Sequence, residues 1–122
     1  DYLSRMYTQL HAIPDIKSTF WYDFQNDGLQ REYNEHNFGI LNHDFTPKAP
    51  AVAYRMTSMV LEGSRFVGRL DTGDAAIQAY LFAGADGRTV LAAWALGGAW
   101  LPHHTLATPK RFALGLGVRP HP

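Results

Sequence analysis

The sequence predicts an α/β arrangement that passes into α+β: helix, strand, long loop and helix over residues 1–63, then a small antiparallel sheet over residues 64–96. Three observations carry this expectation. Apolar residues recur at helical spacing near the start of the chain. A β-branched and aromatic run follows and ends in a strong turn signal. Beyond Gly63 the pattern changes to three short β-like runs separated by Gly- and Asp-containing turns. With 122 residues the chain has the size of one ordinary domain.

From Tyr2 to His11, Tyr2, Leu3, Met6, Tyr7 and Leu10 fall three and four residues apart, one face of a helix that Pro14 ends. Ile16 to Phe24 reads as a strand, closed by Asn26, Asp27 and Gly28. Residues 27–48 then form a loop longer than the usual connection, of the kind that is functional or ordered by its own packing. Thr46 and Pro47 are expected to open a second helix, with the hydroxyl as cap and proline in the first turn, and Gly63 to stop it. Arg65 to Leu70, Ala75 to Phe82 and Thr89 to Leu96 supply the strands, with Gly84-Ala85-Asp86-Gly87 as a hairpin turn. Residues 97–122 hold four of the seven prolines and three of the six histidines, with one further strand expected over Phe112, Leu114, Leu116 and Val118.

Composition narrows the function. Eleven basic and eleven acidic residues cancel, which leaves no broad positive field for nucleic acid or an anionic membrane. No stretch reaches the roughly 18 to 20 apolar residues of a membrane-spanning helix. Without cysteine there is no disulfide framework and no thiolate chemistry, so a metal would need histidine and carboxylate. Because the chain begins at Asp1, with no leader in front of the first helix, it is expected to be a piece of something longer or to have lost a leading segment.

His36, His43, His103 and His104 are the candidate ligands for copper or zinc, the basis of an alternative reading as a His-dependent metal protein with oxidase or hydrolase activity. No HxH or HExxH spacing supports them, and adjacent His103 and His104 point apart on an extended segment. Asp23, Asp27, Glu32 and Glu35 supply acid/base chemistry only where two are brought together. No serine stands in a Gly-x-Ser-x-Gly context.

Three motifs in order, Phe20-Trp21-Tyr22-Asp23-Phe24-Gln25-Asn26-Asp27-Gly28, Glu35-His36-Asn37-Phe38-Gly39-Ile40-Leu41 and Asp44-Phe45-Thr46-Pro47-Lys48-Ala49-Pro50 with Ala53 and Tyr54, resemble the end of clan-A glycoside hydrolases of the β-xylosidase-like and exopolysaccharide-hydrolase-like kinds. The resemblance covers roughly residues 1–96. It implies the eighth strand and helix of a (β/α)8 barrel followed by the start of a β-sandwich, an oligo- or polysaccharide partner, no cofactor, and a secreted or periplasmic location.

On this resemblance Trp21 and Tyr22 stand at the strand end where barrel enzymes place ligand-facing groups. Trp21 would stack on sugar, and Asn26 and Glu35 would position hydroxyls or the loop. Retaining hydrolysis needs two carboxyl groups about 5 to 5.5 Å apart. Neither catalytic glutamate of the clan has a counterpart among Glu32, Glu35 and Glu62, so the isolated chain is expected to bind sugar at most. Residues 97–122 depart from the sandwich pattern. Strand edges and an apolar helix face left open by such a fragment predict completion by a second copy, a homo-oligomer, or an oligomeric structural module.

Overall fold

The computed structural model describes residues 2–96. Two helices come first, α1 (Tyr2–His11) and α2 (Ala49–Leu61), then three strands, β1 (Arg65–Arg69), β2 (Ile77–Ala83) and β3 (Thr89–Ala95). The strands form one antiparallel sheet in the order β1-β2-β3. The helices pack on each other, with Tyr7 and Tyr54 rings 5.1 Å apart.

The first helix falls where its periodicity places it. The second begins later than expected, with Lys48 as the residue before its first turn and no side-chain cap. Thr46 is not the cap, because its hydroxyl is already committed to Asp44 at 2.6 Å. At the other end Gly63 takes a positive φ of 66°, a conformation that costs glycine little, and Ser64 N–H returns to the Leu61 carbonyl.

The expected strand over Ile16 to Phe24 is not formed, so the α/β part of the prediction gives way to helices followed by an antiparallel sheet. Aromatic and β-branched residues favour a strand only when a neighbouring strand supplies the ladder. Among the described residues the bridges outside the sheet are isolated, Gln25 parallel to Leu41 and Leu41 antiparallel to Pro47, and Phe20 is 90% exposed.

Strands β2 and β3 pair continuously from Ile77↔Ala95 to Ala83↔Thr89, while the β1 pairing slips between Phe66 and Gly68. Alternation puts Phe66, Tyr80, Phe82, Val90, Ala92 and Trp94 on one face, where Leu61 and Ala12 meet them. Phe82 is fully buried, 5.6 Å from the Phe66 ring and stacked 5.4 Å from the His11 imidazole. Tyr80 stacks on Trp94 at 5.1 Å, with the Arg69 guanidinium 5.2 Å from its ring centroid. The helices and the sheet therefore share one core. The last segment, residues 97–122 with its expected strand, lies outside the described residues.

Candidate functional site

The loop between the helices is built on backbone pairing rather than on a sheet. Asp23 N–H donates to the Phe38 carbonyl, Ile40 N–H to Asp23, Leu41 N–H to Phe24 and Asn26 N–H to Leu41, at 3.0–3.2 Å. This lays residues 23–26 beside 38–41. The approach is so close at Gly39 that a Cβ there would sit 2.2 Å from Asn26 N and 2.3 Å from Gln25 C. Within the outer part of the loop a 3-10 turn, Asn34–His36, is held by Asn37, whose Nδ2 lies 2.7–3.2 Å from the carbonyls of Gln30, Arg31 and Tyr33.

Trp21 is 38% exposed and its indole N–H donates to the Phe38 carbonyl at 3.2 Å. It borders a hollow of about 150 Å³ shared with Leu3, Tyr7, Ile40 and Tyr54. Tyr22 is exposed, edge-on to Phe38 at 6.2 Å, and its hydroxyl donates to Asp27 Oδ2 at 3.2 Å. That hydrogen bond raises the Tyr22 phenol above its ordinary value, and the negative charges of Asp27, Asp23 and Glu35 add to it. The Tyr22–Asp23 peptide bond is cis.

Asn26 is buried and does not offer its side chain outward. Its Oδ1 accepts from Lys48 Nζ at 2.5 Å, its Nδ2 lies 3.4 Å from Asn37 Oδ1, and its carbonyl accepts from His43 Nδ1 at 3.1 Å. It also lines a second, wider hollow of about 470 Å³ with Arg31, Asn42, His43, Asp44 and Lys48. Burial pushes the Lys48 ammonium below its ordinary value. Glu35 is exposed on the 3-10 turn and reaches the aromatic pair through its charge on Tyr22 rather than through a hydrogen bond.

Thus Trp21 and Tyr22 come together around Phe38, Glu35 stands off electrostatically, and Asn26 turns inward to hold the loop. Sequence reasoning missed Phe38 and Asp27 as partners of the aromatic pair, and Lys48 as more than the start of a helix. The Pro47-Lys48 dipeptide marked the place without showing where the ammonium goes.

The metal candidates are divided. His36 accepts from Gln30 N–H at 3.4 Å and packs edge-on to Tyr33, while His43 is engaged by Asn26. Among the described residues no three His, Asp or Glu side chains stand together in a metal-sized group, and His103 and His104 lie outside those residues.

Beside the site, Asn42 to Thr46 forms a tight turn with Phe45 at a positive φ of 64°. Asp44 Oδ1 accepts from Thr46 Oγ1 at 2.6 Å and from Thr46 N–H at 3.0 Å, and these bonds hold the Asp44 carboxyl below its ordinary value. A carboxylate so depressed adds stability above its unfolded pKa and loses it as pH falls through the lower folded one. Thr46→Val is expected to raise the Asp44 midpoint toward the ordinary carboxylate value. A side-chain carbonyl chemical-shift titration reads this directly; an unmoved midpoint would show that the hydroxyl is not the cause.

Among the described residues no helix is long and apolar enough to cross a membrane. No protein-family model and no curated protein matches the chain. A solved structure does, and it is a glycoside hydrolase. The likeness is to a family 39 glycoside hydrolase from the gut symbiont Bacteroides cellulosilyticus WH2, with 36% sequence identity and a TM-score of 0.67. It covers 79% of this chain and 19% of the hydrolase. The chain thus spans about a fifth of that enzyme's length, and the likeness supports a carbohydrate-related origin.

Proposed function

We propose that this chain is the carboxyl-terminal part of the barrel of a clan-A glycoside hydrolase, joined to the start of a β-sandwich, and that its loop binds oligo- or polysaccharide. The observation that carries the reading is the cluster of Trp21, Tyr22 and Phe38 with Asp27 and Glu35 around it. Aromatic faces take the apolar side of a sugar ring, and the carboxylates beside them accept its hydroxyls. The hydrolase likeness supports the same class of ligand.

In this reading the bond-breaking carboxylates of the parent enzyme belong to parts of the barrel outside this sequence. The chain supplies recognition: Trp21 as stacking face, Tyr22 and Glu35 toward hydroxyls, Asn26 as a brace within the loop. A secreted or periplasmic location is part of the same reading.

Titration with xylo-, gluco- and manno-oligosaccharides, followed by amide and indole chemical shifts, tests it. Saturable shifts centred on Trp21 and Tyr22 are expected at millimolar sugar or below. Trp21→Ala is expected to weaken binding about tenfold, the equivalent of about 1.4 kcal/mol for one lost stacking face. No response to any of the three sugar series at millimolar concentration would overturn the proposal.

A further inference from the structure

Lys48 sends its ammonium from the amino end of α2 back into the loop. It donates to Asn26 Oδ1 at 2.5 Å, to the Gly39 carbonyl at 2.7 Å and to the Asn37 carbonyl at 3.1 Å. An ammonium has three protons, and these three acceptors use them all. None of the acceptors carries a formal charge, so the half-buried cation gives up water without gaining a counter-ion among the described residues.

What it holds is specific. The Asn37 and Gly39 carbonyls flank Phe38, and the Phe38 carbonyl is the acceptor for the Trp21 indole N–H and for the Asp23 amide. Asn26, the third acceptor, ends the segment that begins at Trp21. Asn37 in turn clamps the outer loop through three carbonyls. One cation therefore ties both sides of the pairing that carries the aromatic cluster to the first turn of a helix.

We propose that Lys48 is the positioning residue for the Trp21 face: its ammonium fixes the 37–39 backbone so that the Phe38 carbonyl orients the indole. The consequence for affinity rests on the sugar-binding reading; the geometric consequence does not. A long apolar side chain at this position fills similar space but leaves three partly buried acceptors without their donor.

The test uses Lys48→Met with the three tryptophan indole signals assigned by substitution. The Trp21 indole N–H is expected to shift toward its solvent-exposed position and to exchange faster. Trp94, stacked on Tyr80 in the sheet, is expected to stay in place and serves as the internal check on folding. Affinity for the best-binding oligosaccharide is expected to fall at least tenfold. An unmoved Trp21 signal overturns the proposal, whereas unchanged affinity in a variant whose Trp21 signal has moved upholds the positioning role of Lys48 and overturns the reading of Trp21 as the sugar face.

If the wild-type chain binds no sugar, the sugar-binding reading falls and the indole signal alone decides the role of Lys48. If Lys48→Met also displaces Trp94, the wild-type lysine ammonium signals decide instead. Lys48 should then give a slowly exchanging signal at neutral pH, unlike exposed Lys17, which donates to the Pro14 carbonyl. Equal exchange of the two overturns the proposal.

Discussion

Phe82→Ala is expected to lower the free energy of unfolding by about 3 to 5 kcal/mol, the range for deleting a buried phenylalanine and leaving its cavity. The magnitude follows from how Phe82 is placed. It is fully buried, and its ring meets Phe66 from β1 and His11 from α1 while belonging to the same cluster as Leu61 from α2. Removing it opens a hole where three elements join, so no single side chain can move in to fill it. Domains have only about 5 to 15 kcal/mol of net stability, and a loss of this size takes a large fraction of it. Denaturant titration by far-ultraviolet circular dichroism measures the change. A loss under about 1 kcal/mol would mean that the cluster collapses around the missing ring and that helices and sheet are not jointly supported.

Gly39→Ala is expected to cost roughly 3 kcal/mol, at the upper end for forcing extra volume into a packed site. The clash is with main chain: the added methyl would lie 2.2 Å from Asn26 N and 2.3 Å from Gln25 C, atoms that cannot rotate away. Segments 23–26 and 38–41 would have to part, and the hydrogen bonds that set the aromatic cluster would part with them. Gly68→Ala is the matched control. An added Cβ there meets nothing within 4 Å, so the change should stay within about 0.5 kcal/mol. Equal effects at the two glycines would show that the close approach at Gly39 is not what the loop depends on.

Much of the fold could be read from residue order because its signals are local. The spacing of Leu3, Met6, Tyr7 and Leu10 defines α1 without help from the rest of the chain, and the Gly84–Gly87 turn fixes the β2–β3 hairpin. Ile16 to Phe24 failed for the opposite reason. Its composition is that of a strand, but a strand is defined by its neighbours, and among the described residues only its end, Asp23 and Phe24, finds backbone partners across the loop, in residues 38–41. Thr46 shows a competition that sequence does not resolve, since its hydroxyl can cap a helix or bond Asp44, and it does the second. Trp21 and Tyr22 were legible as an aromatic pair before a turn. Phe38 joins them only through chain pairing across the loop, and Asn26 carries no mark in the sequence that its amide faces inward.

The shared core also sets an order in time. Synthesis runs from the amino end, so α1, the aromatic loop and α2 leave the ribosome before β2 brings Phe82 to His11. The sheet pairs only sequence neighbours and can close quickly once made, whereas the contact that secures α1 spans most of the described chain. A nascent chain that stops before Ile77 therefore carries every residue of the candidate site and neither Tyr80 nor Phe82. During that interval His11, Ala12 and Leu61, the helix residues that Phe82 and its cluster cover, are open to chaperones and to one another, and the β2–β3 hairpin is what ends their exposure to misassembly.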